Sequence, residues 1–187
     1  MNLDFIEVYD NMLTHEECKE IIDYIENSKL TQASFGSVAN GDFVVRPDIK
    51  DCVEIGQVMD VPSNTNKYIE RALRKAVAEY WLKHPQIRRI MDWGPDMNYN
   101  LQKYNPKQAY HQPHCENAGT GNRMLVWMIY LNTVTEGGGT YFENYDRTTD
   151  AVEGRVVLWP PYWTHFHNGV VSDTQKKYIA TGWFEAQ

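Results

Sequence analysis

Residues 123–142 have the sequence RMLVWMIYLNTVTEGGGTYF, and this stretch decides the fold class. The run Met124–Leu131 is apolar at every position, which is typical of a strand covered on both faces at the centre of a sheet. It is too short to span a bilayer as a helix. The glycines at 137–139 mark a turn before the next apolar piece. The stretch therefore predicts a packed β-core.

The same pattern continues on both sides of this stretch, from residue 97 to residue 184. Short strands are predicted at Met97–Tyr104, Tyr110–Cys115, Arg123–Asn132, Gly139–Phe142, Arg155–Trp159, Phe166–Val171 and Lys176–Phe184. Turn residues such as Pro160 and Pro161 separate them. Short strands with turns between them favour an antiparallel sandwich or barrel.

The first half of the chain predicts two helices. Thr14 and Glu17 have the spacing of a capping box, in which each residue satisfies a backbone N–H of the other. The apolar residues that follow recur at helical spacing, as Cys18, Ile21, Ile22 and Ile25. A second amphipathic helix is predicted from Asn66 to about Lys83, and residues 31–63 are predicted to hold loops and one or two short strands.

The length of 187 residues and a hydrophobic content of 42% suit one folded domain. We expect a single domain over residues 1–187. Within it, residues 1–96 would provide helical support and loops, and residues 97–187 would form the β-core with the functional site.

Charge and cysteine content narrow the function classes. The formal net charge of −7 disfavours a nucleic-acid partner. Three cysteines without paired spacing fit a reducing compartment better than a disulfide scaffold. The first residues lack the basic and apolar regions of a signal peptide, and no run is long enough for a membrane span. The sequence therefore predicts a soluble cytoplasmic protein without a membrane partner.

The first candidate metal ligands are His114 and Glu116. Alternate side chains of an extended strand point to the same face, so these two residues can bind one metal ion together. A second imidazole from another strand would complete a facial triad of two histidines and one carboxylate, which leaves positions open on a redox iron. A single His-x-Glu match is weak evidence, since the pair also occurs by chance on surface strands.

The second histidine can come from either His165 or His167, which share a face in an extended segment. Both could also join His114 and Glu116 in a zinc site with four ligands. The residues alone leave these alternatives open.

A lysine in the last predicted strand suggests an anionic ligand. Lys177 alternates in phase with Ile179, Thr181 and Trp183, so it points into the core if Trp183 does. A buried lysine is costly unless it meets an anion. The alternatives are that Lys176 faces inward instead, or that Lys177 extends to the rim.

The order of these motifs resembles the 2-oxoglutarate/Fe(II)-dependent dioxygenases, in particular the prolyl 4-hydroxylase and procollagen-lysyl hydroxylase branch. The resemblance covers residues 97–184, and each motif is degenerate, but their order and spacing are specific. The matching pieces are Tyr104–Glu116, Tyr130–Asn132, Gly137–Phe142, Gly154–Pro160, the segment with His165 and His167, and Lys177-Tyr178.

The resemblance implies an α+β, mainly β protein with a double-stranded β-helix (jelly-roll) core flanked by N-terminal helices. It also implies that His114, Glu116 and His167 are the catalytic metal ligands, with His165 as the fallback for His167. The residues that it implies for binding the co-substrate are Lys177, Tyr104, Tyr130 and Thr181. The usual carboxylate ligand of the branch is aspartate, so Glu116 is a departure that puts activity in question.

The implied cofactors are Fe(II), 2-oxoglutarate and O2, with ascorbate as an accessory reductant. The implied reaction is hydroxylation of a C–H bond, of a prolyl residue first and a lysyl residue second, with release of succinate and CO2. The expected partner is a peptide or protein, with a small molecule as the alternative. Substrate contacts are expected from Arg46, Tyr162, Trp163 and the 31–63 loop.

Two other functions compete with this one. A cupin-like protein with a non-redox metal would use the same β-core without needing Lys177. A degenerate binding module would have kept the fold and lost iron because of Glu116.

Overall fold

The structure is a computed structural model that describes residues 4–33, 35–37, 43–90, 92–117 and 121–187. Its helices are α1 (His15–Asn27) and α2 (Asn64–Lys83). Its strands are β1 (Glu7–Tyr9), β2 (Thr31–Gln32), β3 (Phe35–Ser37), β4 (Phe43–Val44), β5 (Val53–Val58), β6 (Trp93–Tyr104), β7 (Arg123–Tyr130), β8 (Thr140–Phe142), β9 (Arg147–Thr149), β10 (Val156–Trp159), β11 (His167–Gly169) and β12 (Lys177–Ala186). Short 3-10 helices lie at Pro85–Arg89, Glu143–Tyr145 and Trp163–His165.

The strands form two main antiparallel sheets. The larger has the order β1-β10-β7-β12-β6-β5-β2, and the smaller has the order β11-β8-β9. Side chains of both sheets meet in one buried cluster, which includes Tyr130, Phe142, Val157 and Ile179. This arrangement confirms the predicted mainly β core.

Strand β7 lies at the centre of the larger sheet, between β10 and β12. Leu125, Trp127 and Ile129 point toward the helices, and Val126 and Tyr130 point toward the smaller sheet. All five are buried. Because both faces are covered, the positions of β7 after Arg123 are all apolar, as the sequence predicts.

The two helices cover the outer face of the larger sheet. Thr14 caps α1 with the predicted capping box, since Glu17 N donates to Thr14 Oγ1 at 3.3 Å and Thr14 N donates to Glu17 Oε2 at 3.0 Å. Helix α2 begins at Asn64, two residues before the predicted start, because Ser63 Oγ accepts from Asn66 N and caps it. Among the described helices, none has the length and apolarity to cross a bilayer.

The predicted strand Tyr110–Cys115 is wrong. His114 makes only an isolated bridge with His167, through backbone hydrogen bonds of 3.0 and 2.9 Å. Pro113 has no N–H to give, so the ladder cannot continue through it. Glu116 N instead donates to Pro161 O at 3.0 Å, which fixes the position of this residue by a loop contact.

The β-core also begins earlier than predicted. Strand β6 starts at Trp93, and β1, β2 and β5 from the first 96 residues belong to the larger sheet. Strands β2 to β5 occupy the predicted loop region 31–63, of which residues 34 and 38–42 lie outside the described residues. Strand β9 was not predicted, because three residues are too few for a periodic pattern.

Candidate metal centre

The side chains of His114, Glu116 and His167, which the sequence predicts as metal ligands, lie close together in the structure. Glu116 Oε1 lies 3.3 Å from His114 Nε2 and 3.6 Å from His167 Nε2. The three ligand atoms lie within 4.8 Å of one another, close enough to hold one metal ion. His167 comes from β11, and the isolated bridge places His114 directly beside it.

Backbone carbonyls orient both imidazole rings. His114 Nδ1 lies 3.0 Å from Gln112 O, and His167 Nδ1 lies 2.9 Å from His165 O. Because a carbonyl oxygen only accepts, Nδ1 carries the proton in each ring. Each Nε2 therefore presents a lone pair toward Glu116, which is the tautomer that a metal ligand needs.

The donor set fits a divalent cation. Burial opposes ionisation of Glu116, but His114 and His167 outweigh it when their Nε2 atoms are protonated and donate to the carboxylate, and they then hold the pKa of the carboxyl well below its ordinary value. Burial lowers the pKa of His167, which favours the neutral ring. When both Nε2 atoms are unprotonated, two lone pairs and a carboxylate oxygen face one another and favour a cation between them. Two imidazoles and one carboxylate are the donors of a non-haem Fe(II) centre.

His165 has a different environment from His167. Its Nε2 lies 2.7 Å from Asp4 O and its Nδ1 lies 2.9 Å from Thr164 Oγ1, so both ring nitrogens have partners. The ring is buried and is not part of the ligand group found among the described residues. The predicted four-ligand zinc site therefore does not form. His165 contributes its backbone carbonyl, which orients His167.

Lys177 lies inside the protein, and its exposed neighbour Lys176 does not. Only 5% of Lys177 is exposed, and burial lowers the pKa of its ammonium group to about 8. Its Nζ lies 4.5 Å from the centre of the Tyr104 ring. In the described part of the chain, no carboxylate pairs with it.

The three hydroxyl groups predicted to bind co-substrate all have protein partners. Tyr104 donates to Gln102 Oε1 at 2.8 Å, and Thr181 donates to Trp127 O at 2.9 Å. Tyr130 is fully buried, and its hydroxyl lies 2.7 Å from Thr140 Oγ1. Tyr104 and Thr181 line the cavity described below, whereas Tyr130 is not among the described residues that line it.

The candidate ligands and Lys177 line one cavity of about 610 Å³. Apolar side chains cover part of its wall, including Met128, Trp159 and Ile179. Such a cavity has the size of a site for small ligands. The cavity therefore brings the candidate metal ligands together with a buried ammonium group that has no carboxylate partner among the described residues.

Sequence reasoning missed the polar wall of the cavity on β5 and β6. Lys50 Nζ donates to Glu54 Oε2 at 2.9 Å, and Gln102 Nε2 donates to the same oxygen at 2.8 Å. Pairing of β5 with β6 places Glu54 opposite Gln102. No local sequence motif predicts the contact between Glu54 and Gln102, because it depends on which strands pair in the sheet.

Sequence reasoning also missed Arg123, which contacts Glu116. Arg123 Nη1 lies 3.2 Å from Glu116 Oε2, and Trp183 Nε1 donates to the same oxygen at 3.0 Å. Trp183 was predicted only as an inward-facing residue. Arg46, a predicted substrate contact, pairs with Asp48 on the surface and does not line the cavity.

Comparison with known families decides the class of protein. Residues 99–185 match the family model of the 2OG-Fe(II) oxygenase superfamily. Residues 99–185 therefore form a 2-oxoglutarate-dependent dioxygenase domain. The cofactors of this class are Fe(II), 2-oxoglutarate and O2, and the described His-Glu-His group is the candidate for the iron. The match favours the dioxygenase over the cupin-like alternative. No curated protein is significantly similar in sequence.

The fold of the dioxygenase is shared with solved prolyl hydroxylases. A Trichoplax adhaerens prolyl hydroxylase bound to a hypoxia-inducible-factor peptide fragment has a TM-score of 0.75 and 16% identity, with 98% of this chain and 84% of that chain covered. A Pseudomonas putida prolyl-4-hydroxylase has a TM-score of 0.72 and 14% identity, covering 99% and 94%. A collagen prolyl hydroxylase of Paramecium bursaria Chlorella virus-1, solved as its 2OG complex, has a TM-score of 0.68 and 16% identity, covering 100% and 98%. The expected jelly-roll fold is confirmed.

Proposed function

We propose that the dioxygenase hydroxylates a C–H bond of a peptidyl residue, prolyl in the first instance, and converts 2-oxoglutarate and O2 to succinate and CO2. One oxygen atom of O2 enters the substrate and the other enters succinate. The observation that carries the proposal is the shared cavity, in which the buried Lys177 ammonium group, without a carboxylate partner among the described residues, accompanies a His-Glu-His group. When a dicarboxylate chelates a metal ion through one end, its distal carboxylate remains free to bind the Lys177 ammonium group.

In this proposal His114, Glu116 and His167 hold the iron, which supplies the oxygen activation. Lys177 binds the distal carboxylate of 2-oxoglutarate through a charge-assisted hydrogen bond. Tyr104 supports the Lys177 ammonium group through its ring face at 4.5 Å. Apolar residues such as Met128 and Ile179 exclude water from the cavity, which protects a reactive site and strengthens the charge pairing.

The surface beside the ligand segment supports a peptide substrate. Tyr162 and Trp163 are 46% and 72% exposed, although large aromatic residues are usually buried. They follow Pro161, whose carbonyl accepts from Glu116 N and Asn117 N at 3.0 and 2.8 Å. Exposed aromatic rings bind the preformed extended helix of proline-rich segments. These rings therefore favour a prolyl substrate.

A lysyl substrate is the second candidate, and a different observation favours it. Glu54, Asn100 and Gln102 give the β5–β6 wall of the cavity several hydrogen-bond acceptors. A lysyl ammonium group could bind Glu54 after Lys50 turned away from this carboxylate, whereas a prolyl ring has no donor to offer it.

The test of the proposed function is turnover with defined peptides. The dioxygenase is incubated with Fe(II), ascorbate, 2-oxoglutarate and O2, together with proline-rich or lysine-bearing peptides. We expect succinate release and a peptide product that has gained one oxygen atom, both measured by mass spectrometry. Absence of succinate, coupled or uncoupled, together with no thermal shift on adding 2-oxoglutarate, would contradict the proposal and favour a degenerate binding module.

The low pKa of Lys177 predicts how 2-oxoglutarate binding depends on pH. Below about pH 8 the ammonium group is charged, so the dissociation constant should be constant. Above about pH 8 the free protein loses this charge, and the dissociation constant should rise by up to about tenfold per pH unit. The dissociation constant is measured by calorimetric titration of 2-oxoglutarate into the anaerobic Mn(II)-loaded protein between pH 7 and 9.5. A constant affinity through pH 9.5 would show that Lys177 does not bind the carboxylate.

A further inference from the structure

We propose that Arg123 and Trp183 are positioning residues that adapt a glutamate to the metal site, so that aspartate cannot replace Glu116. The inference rests on the proposed function, in which Glu116 is a metal ligand. It changes the meaning of Glu116, because the departure from the usual aspartate is then a compensated feature rather than a sign of decay.

The two oxygens of Glu116 have separate partners. Oε1 faces His114 and His167 at 3.3 and 3.6 Å. Oε2 accepts from Trp183 Nε1 at 3.0 Å and from Arg123 Nη1 at 3.2 Å. The protein therefore holds one oxygen and presents the other to the metal position, so Glu116 would bind through Oε1 alone.

Arg123, Trp183 and Glu116 form a closed set of contacts, which we call the glutamate clamp. The Arg123 guanidinium carbon lies 3.6 Å from the centre of the Trp183 ring. Arg123 Nη1 also donates to the backbone carbonyl of Glu116 at 3.0 Å. The guanidinium group thus contacts Trp183 and both the backbone and the side chain of Glu116, and each member of the clamp restrains the other two.

The larger sheet fixes the clamp in place. Arg123 is the first residue of β7 and Trp183 lies on β12, and these strands pair in the register Trp183↔Val126 and Glu185↔Arg123. A site built on paired strands is more rigid than one built on a loop. Glu116 itself lies in a loop, so its position depends on contacts such as these.

A glutamate ligand needs such a restraint more than an aspartate ligand does. Its side chain has one more rotatable bond, and freezing that bond costs entropy on metal binding. A clamp formed before the metal binds removes this cost. Aspartate is shorter by one C–C bond, about 1.5 Å, so from the same backbone position it cannot reach both the clamp and the metal position.

The charge of Arg123 acts in two directions. It repels a nearby metal cation, but it also stabilises the ionised carboxylate and directs Oε2 away from the metal. Contacts that orient a ligand typically contribute about 10- to 100-fold to metal affinity. The expected loss of metal affinity therefore comes from lost orientation of Glu116 rather than from lost charge. Arg123→Lys keeps the charge but loses the planar guanidinium group, so it should also weaken metal binding.

The experiment measures Mn(II) affinity without substrate, by electron paramagnetic resonance of the free ion. Trp183→Phe keeps the ring under Arg123 and removes the N–H donor, and we expect about 10- to 100-fold weaker binding. Glu116→Asp should weaken binding by a similar factor, although it restores the common residue. The double variant with both Trp183→Phe and Glu116→Asp should bind Mn(II) no more weakly than Glu116→Asp alone, because aspartate does not reach the indole of Trp183.

The matched control is Trp81→Phe, since the indole N–H of Trp81 has no hydrogen-bond partner among the described residues. It should bind Mn(II) as the unaltered protein does. Circular dichroism of each metal-free variant shows whether it is folded. If Trp183→Phe does not fold, the Mn(II) affinity of Arg123→Lys tests the clamp instead. Mn(II) affinities of Trp183→Phe, Arg123→Lys and Glu116→Asp within about twofold of the unaltered protein would overturn the clamp. If the unaltered protein binds no Mn(II), or binds it equally after His167→Ala, the proposed function itself fails.

Discussion

His167→Ala should reduce succinate release to the background level, whereas His165→Gln should leave most of it intact. His167 Nε2 faces Glu116 and His114, so its loss leaves two ligands for the metal. A contact that only orients a ligand is worth about 10- to 100-fold, and loss of a ligand should exceed this. The measurements are succinate by mass spectrometry and Mn(II) affinity of the same samples.

His165→Gln is the matched control for this result. The amide of glutamine can donate to Asp4 O in place of the imidazole, and the backbone carbonyl that orients His167 is unchanged. The two histidines are separated by one residue, so both variants disturb the same segment. If His165→Gln abolished metal binding and His167→Ala did not, the assignment of the third ligand would be reversed.

Lys177→Met should weaken 2-oxoglutarate binding by at least about 100-fold and should stabilise the ligand-free protein. Removing one partner of a buried ion pair costs about 3–5 kcal/mol, because the other charge remains buried. Without ligand the lysine is itself the unpaired charge, and a pKa lowered from 10.5 to about 8 corresponds to roughly 3 kcal/mol of unfavourable burial. Calorimetry with 2-oxoglutarate and thermal unfolding without it measure the two effects.

The gain in stability should depend on pH in a defined direction. Below about pH 8 the folded protein carries the full penalty of the buried charge. From pH 8 to 10.5 the unfolded chain binds more protons than the folded one, so the unaltered protein becomes more stable as pH rises. The difference between it and Lys177→Met should therefore shrink over this range.

Lys176→Met is the control for both effects. Lys176 lies immediately before β12 and its side chain is 51% exposed, so it is largely in solvent whereas Lys177 is buried. We expect unchanged 2-oxoglutarate affinity and a change in unfolding free energy within about 0.5 kcal/mol. Equal effects of the two substitutions would contradict a specific role for Lys177.

The elements with strong periodicity could be predicted from the sequence. The capping box at Thr14, the apolar stripe of α1 and the apolar run of β7 after Arg123 are each visible in the local sequence. The alternation around Lys177 predicted an inward lysine, and the structure places it there. These predictions succeeded because one residue period fixes which face of an element is buried.

The contacts of Glu116 could not be predicted in the same way. Parity along an assumed strand placed it beside His114, but that strand does not form, and Pro161 O positions the residue instead. Its partners Arg123 and Trp183 lie 7 and 67 residues away along the chain. Tyr104 shows the same limit, since its hydroxyl has Gln102 as a partner.

The sequence by itself determined the β-core, the two helices, the candidate ligands and the buried cation, because periodicity and residue chemistry are local properties. Only the tertiary structure decided that His167 rather than His165 faces Glu116, and that Arg123 and Trp183 hold the second oxygen of Glu116. The physical reason is that the nearest partners of a ring nitrogen or a carboxylate oxygen determine whether it forms a hydrogen bond within the protein or can bind a metal ion. Those partners come from strand pairing and loop contacts between distant parts of the chain, which no local pattern encodes.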